Sequence, residues 1–114
     1  MDSFFTKEEL NKLRNIALEE LRELTAELDS VLDRTRKNTN DRPALEEMLR
    51  IFHTIGGSAA LVGFEEISEI GTKGESMLRE HVEKGQISPD TLAAIETMRN
   101  SLAKFVNEKT PGTK

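Results

Sequence analysis

Residues 52–63 read FHTIGGSAALVG, and how this stretch folds decides what kind of protein this is. Phe52, Ile55, Ala59 and Val62 recur at spacings of three and four, the period of one helical face. Gly56 and Gly57 stand in the middle of that pattern, although each glycine in a helix interior costs about 1 kcal/mol relative to alanine. No alternating run of β-branched residues supports a strand, so the pair is not the glycine loop that follows a strand and cradles phosphate. The segment reads as a helix with two glycines that local stability alone would not choose.

The same period extends outward on both sides. Leu45, Met48 and Leu49 carry the apolar face back to Pro43, which suits a first helical turn, with Asp41 or Arg42 near the cap; Gly63 is a C-terminal stop. Upstream, Thr6-Lys7-Glu8-Glu9 is a capping box. Leu10, Leu13, Ala17, Leu21, Leu24, Leu28 and Val31 then form one long stripe without Gly or Pro, which predicts a long amphipathic helix ending in the polar segment 37–42. Phe4 and Phe5 precede it and are expected to pack back on the fold. Downstream, a third helix is predicted from about Glu65, with Ile67, Ile70, Gly74, Met77 and Leu78 inward and Gly85 closing it. Ser88-Pro89-Asp90 opens a fourth: a cap, a proline at the first position and an acid in the first turn. Leu92, Ile95, Met98 or Arg99, Leu102 and Phe105 continue it. Four helices with one apolar face each and short loops predict an all-α fold, an antiparallel up-down four-helix bundle over residues 1–109. Residues 110–114 read as a flexible tail or the start of a linker.

Composition narrows the function classes. The 114 residues suffice for one core and not two. There is no Cys, which excludes thiolate chemistry and disulfides and points to a reducing compartment. Acidic residues number 21 against 16 basic ones, a balance that repels a phosphate backbone and argues against nucleic acid. No apolar run approaches a membrane span and no signal segment is recognisable, so a cytoplasmic protein without a membrane partner is expected. Acidic helices broken by loops also fit poorly with a surface-seeking amphipathic helix. His53 and His81, 28 positions apart without cysteines, make a poor metal site, and no kinase or Walker signature is present.

On the helix that holds the opening stretch, His53, Gly56, Gly57 and Ala60 fall at i, i+3, i+4 and i+7 and share a face. Phe52 points inward, so His53 lies at the boundary of the core or outside it. Two readings follow. The glycines leave a bare patch beside a reachable imidazole, where another protein can approach; or they mark a close crossing of two helices, and His53 is an ordinary surface residue. Arg50 and Leu49 flank this face. His81 falls near the end of the third helix, where a histidine suits the dipole, and is assigned no functional role.

His53-Thr54-Ile55-Gly56-Gly57-Ser58, continued through Gly63-Phe64 and Glu66–Leu78, resembles the histidine-containing phosphotransfer (HPt) domains of two-component signalling. The likeness runs over about residues 8 to 108. It is nearest in flavour to the N-terminal phosphotransfer domain of CheA-type chemotaxis kinases, in which the first helix is long and the histidine lies on the second. The resemblance implies a phosphoryl carrier: His53 accepts phosphate from a histidine kinase and passes it to a response-regulator aspartate. It also implies that Glu75, 22 residues past the histidine, accepts from the ring Nδ1–H and orients it. Gly56, Gly57 and Ala60 would form the docking saddle for the partner. Any cofactor would be magnesium, held in the partner's acidic pocket and not on this chain, which is expected to be monomeric in isolation. The chain would then be a substrate and carrier without a catalytic site of its own, standing alone or as the phosphoacceptor domain of a larger kinase.

Two departures qualify this. The HPt signature places Lys three residues after the histidine, where this chain has Gly56, and Arg50 or Lys73 is expected to supply the missing cation. Thr72 stands where some CheA-type relatives carry a second histidine. The missing Lys is the best argument for the alternative, a degenerate HPt-like bundle used only for protein interaction or dimerisation.

Overall fold

The computed structural model describes residues 5–109. Four helices follow one another: α1 Lys7–Lys37, α2 Arg42–Leu61, α3 Glu65–Lys84 and α4 Pro89–Lys109. α1 packs on α2 and α4, and α3 packs on the same two, so α1–α3 and α2–α4 are the diagonals of an antiparallel up-down bundle. Among the described residues there is no strand, and no helix is long and apolar enough to cross a membrane. Phe4 and the segment 110–114 lie outside the described residues.

The helix ends sit where the capping residues place them. Thr6 Oγ1 accepts from the Glu9 N–H at 3.0 Å and the Glu9 carboxylate accepts from the Thr6 N–H at 2.9 Å, the reciprocal box. Asp41 caps α2 by accepting from the Ala44 N–H at 3.0 Å, and Ser88 caps α4 by accepting from the Thr91 N–H at 3.2 Å. α2 and α3 both stop in Schellman motifs built on left-handed glycines, Gly63 (φ 80°) and Gly85 (φ 72°). In the first, the Phe64 and Gly63 amides donate to the Ala59 and Ala60 carbonyls; in the second, Gln86 and Gly85 donate to His81 and Val82.

The core is a single cluster that includes Leu21, Leu28, Leu32, Leu45, Met48, Phe52, Ile55, Ile67, Leu78, Ile95 and Leu102. Thr25 and Thr35, buried within it, return their hydroxyls to the Leu21 and Val31 carbonyls. Met98 faces inward, and Arg99 turns out to clasp both carboxylate oxygens of Asp29 on α1. That hydrogen-bonded guanidinium holds the Asp29 carboxyl below its ordinary range. Phe5 is 40% exposed and contributes little to the core.

The glycines sort into two kinds. On α3, a Cβ at Gly71 would fall on the Gly56 backbone N and reach the Phe52 carbonyl oxygen at 2.8 Å, and one at Gly74 would fall on the Phe52 ring. These two positions let α3 lie directly on the α2 backbone. On α2, a Cβ at Gly56 would make ordinary contacts of 3.5–3.6 Å with Ser68 and Thr72, and one at Gly57 would meet nothing within 4 Å. Gly57→Ala is therefore expected to stabilise the fold by about 1 kcal/mol through helix propensity alone. Thermal unfolding checks this: an unchanged or lowered midpoint would mean that Gly57 does something for folding that its surroundings do not reveal.

Candidate functional site

Both readings of the opening stretch are partly realised. α2 and α3 do cross closely, but the crowded glycines are on α3, while Gly57 and Ala60 lie bare on the outer face of α2. Gly56 is half-buried along the seam, its carbonyl accepting from Ser68 Oγ at 3.2 Å.

Beside that seam stands His53, its side chain 73% exposed. Its Nδ1 lies 3.1 Å from Oε2 of Glu75 on α3. An ionised carboxylate can only accept, so the ring donates an Nδ1–H to it. This leaves the second nitrogen, Nε2, without a hydrogen-bond partner among the described residues on a largely exposed side chain, its lone pair free in the neutral ring. Glu75 is only 21% exposed and is held from its other side: Arg79, one turn further along α3, places Nη2 2.8 Å from the same Oε2. Arg79, Glu75 and His53 thus form a row in which one oxygen joins a guanidinium to an imidazole.

The expected cations are placed elsewhere. Arg50 leans toward α1 and pairs with Glu27 at 2.9 Å. Lys73 is two positions from Glu75, about 200° around the helix axis, where it borders a shallow depression with Ser68, Glu69, Thr72, Ser76 and Met77. Neither is brought to His53. The sequence reading misses Arg79, although a base four residues after a carboxylate is a standard helical pairing.

The face around His53 continues toward the C-terminal end of α2. Arg14 Nε donates to the Val62 carbonyl at 3.0 Å and Ser58 Oγ to Glu20 at 2.7 Å, which lays segment 14–20 of α1 alongside it. Ile16 and Leu61 in this region are 65% and 70% exposed. Of the apolar residues along this stretch, Ile55 is in the core, Phe64 is half-buried against Phe105 at 5.1 Å between ring centroids, and Leu61 is outside.

His81 contrasts with His53. Its Nδ1 lies 3.2 Å from the Gln86 carbonyl oxygen, which can only accept, and its Nε2 lies 2.9 Å from Thr91 Oγ1. Both nitrogens are spent on the α3–α4 turn.

Comparison with known proteins agrees with this architecture. The CheA phosphotransferase domain from Thermotoga maritima superposes with a TM-score of 0.78 over 87% of this chain and 94% of that one, at 23% identity, a shared fold. No curated protein matches. The family model described as the Hpt domain matches residues 12–107. That match takes in all but the first five and the last two residues of the four-helix bundle, and this chain belongs to the Hpt domain family.

Proposed function

We propose that this domain is a phosphotransfer module of two-component signalling that carries a phosphoryl group on His53 Nε2, receiving it from a histidine kinase and yielding it to a response-regulator aspartate. The observation that carries this reading is the 3.1 Å contact between His53 Nδ1 and Glu75 on a ring that is otherwise open to solvent. With the proton held at Nδ1, the Nε2 lone pair attacks phosphorus, the bond from phosphorus to the donor's oxygen breaks, and the donor leaves with its electron pair. The ring becomes a phosphoimidazolium whose positive charge faces the Glu75 carboxylate. Transfer onward reverses the bookkeeping: the aspartate oxygen attacks phosphorus and the N–P electron pair returns to Nε2. A magnesium ion for that step belongs in the partner's acidic pocket. Bare Gly57 and Ala60, with Leu61 and Ile16 beyond them, give the partner a low, partly apolar seat beside the ring.

The degenerate-bundle reading rests on Gly56 in place of Lys, and one experiment separates the two. The purified chain is incubated with phosphoramidate, a small donor that needs no partner, and separately with a histidine kinase and ATP. Acid-labile, base-stable phosphate is expected from both. Glu75→Ala is expected to slow its formation about tenfold or more, the scale on which losing an orienting partner of a histidine costs activity. No such label on the wild-type chain would leave only the interaction bundle, and a Glu75→Ala rate equal to wild type would remove Glu75 from the mechanism.

A further inference from the structure

We infer that Arg79 is the cation of this site, holding Glu75 for His53 in the resting domain and neutralising the phosphoryl group once Nε2 carries it. This rests on the carrier reading above. The physical need is plain: a phosphoryl group on Nε2 brings about two negative charges to a ring whose other nitrogen is bonded to the Glu75 carboxylate. The positive charge of the phosphoimidazolium offsets only part of this, and the net negative charge that remains favours turning the ring away or losing the phosphate. Position 56, half-buried on the seam beside His53, carries no side chain. Arg50 is engaged with Glu27 on the α1 side, and Lys73, about 200° around α3 from Glu75, makes no hydrogen bond or ion pair with His53 or Glu75. Arg79 is different in kind, because its Nη2 binds the very oxygen that accepts from the ring.

The guanidinium has five N–H donors in a planar fork. One is used on Glu75 Oε2, and the side chain is 63% exposed, so further donors remain for phosphoryl oxygens beside the ring. In the unphosphorylated state the same contact fixes which way Glu75 points, and through Glu75 the tautomer of His53. Arg79 is thus a positioning residue at rest and a charge partner after transfer. The position that would supply a cation from the histidine's own helix is empty, and the carboxylate's helix supplies it instead.

The test uses the full chain labelled with phosphoramidate, with formation and hydrolysis of Nε2-phosphohistidine followed by 31P NMR. Arg79→Ala is expected to hydrolyse roughly three to five times faster than wild type, the scale of one exposed charge pair. Arg79→Lys, which keeps the charge, is expected to stay near wild type. Gly56→Lys introduced into the Arg79→Ala chain is expected to restore the slow hydrolysis, a rescue that a merely structural loss would not allow; a Cβ at Gly56 has room for it. Imidazole 15N shifts report the resting tautomer, and Arg79→Ala is expected to weaken the Nδ1–H preference. Arg79→Ala with unchanged hydrolysis and unchanged shifts, on a chain still labelled at His53, overturns this inference and leaves the carrier reading standing. Failure of Gly56→Lys to restore slow hydrolysis overturns the charge role. A wild-type chain that takes no phosphate on His53 sinks the carrier reading itself, and this inference with it.

Discussion

His53→Gln abolishes acid-labile phosphorylation of this chain and leaves its thermal midpoint unmoved: that is the expected result with the largest functional effect. The stability half follows from exposure. With 73% of the His53 side chain in solvent, little apolar area is given up on substitution, and a glutamine amide still has N–H groups to offer Glu75. The functional half follows from electron pairs. The glutamine nitrogen is conjugated to its carbonyl and has no lone pair to give to phosphorus, so the reaction loses its nucleophile and not merely its geometry. His81 is the internal control, since Nδ1 faces the Gln86 carbonyl and Nε2 the Thr91 hydroxyl. The Thr91 oxygen accepts from Ser88 Oγ at 3.0 Å, which leaves its own proton for His81 Nε2. With that lone pair occupied, His81→Gln is expected to keep full labelling while loosening the α3–α4 turn. Label that persists in His53→Gln and disappears in His81→Gln would reverse the assignment.

The asymmetry between these two histidines shows what could be read from the chain before its structure and what could not. Helix number and ends were legible because they are encoded locally: Thr6 with Glu9, Asp41, Ser88 and Gly85 each act within a turn of their own position. The core faces were legible because periodicity of three and four is a property of one helix at a time. The site is not local. Nothing in the spacing of His53 and Glu75 says that α2 and α3 lie in the register that brings them to 3.1 Å; the family resemblance implies that pairing, and residue spacing does not. Arg50 shows the same limit from the other side. Its spacing puts it one turn before His53, yet Glu27, 23 positions away on α1, takes its guanidinium. Lys73 has the charge and the helix for the role, but its angular position, about 200° from Glu75, decides where it sits. Arg79 is legible from the sequence once Glu75 is, because a base one turn beyond a carboxylate on a helix pairs with it locally.

Gly71→Ala is expected to be the most damaging small substitution in the bundle, costing stability and site geometry together. Its new methyl would fall on the Gly56 backbone N, 2.6 Å from the Gly56 Cα and 2.8 Å from the Phe52 carbonyl oxygen. All three are backbone atoms of α2 and cannot rotate aside as a side-chain tip would, so the helices themselves must part. Overpacking of this kind costs about 1–3 kcal/mol or somewhat more, while alanine returns about 1 kcal/mol of helix propensity. With rigid backbone on the receiving side, the upper part of the range applies and a net loss of about 2 kcal/mol results. For a domain of this size that lowers the midpoint by roughly 10 °C. Gly57→Ala, the same chemical change on open surface, moves the midpoint the other way, so the pair separates steric cost from propensity. The functional consequence follows from the same displacement: parting α2 from α3 lengthens the His53–Glu75 contact, and phosphohistidine formation slows in Gly71→Ala even well below its midpoint. Thermal unfolding and phosphoramidate labelling of the two variants decide the matter. If Gly71→Ala is as stable as wild type, the two helices are not in the backbone contact described here; if it is destabilised but labels at the wild-type rate, the Glu75 contact does not set the reactivity of His53.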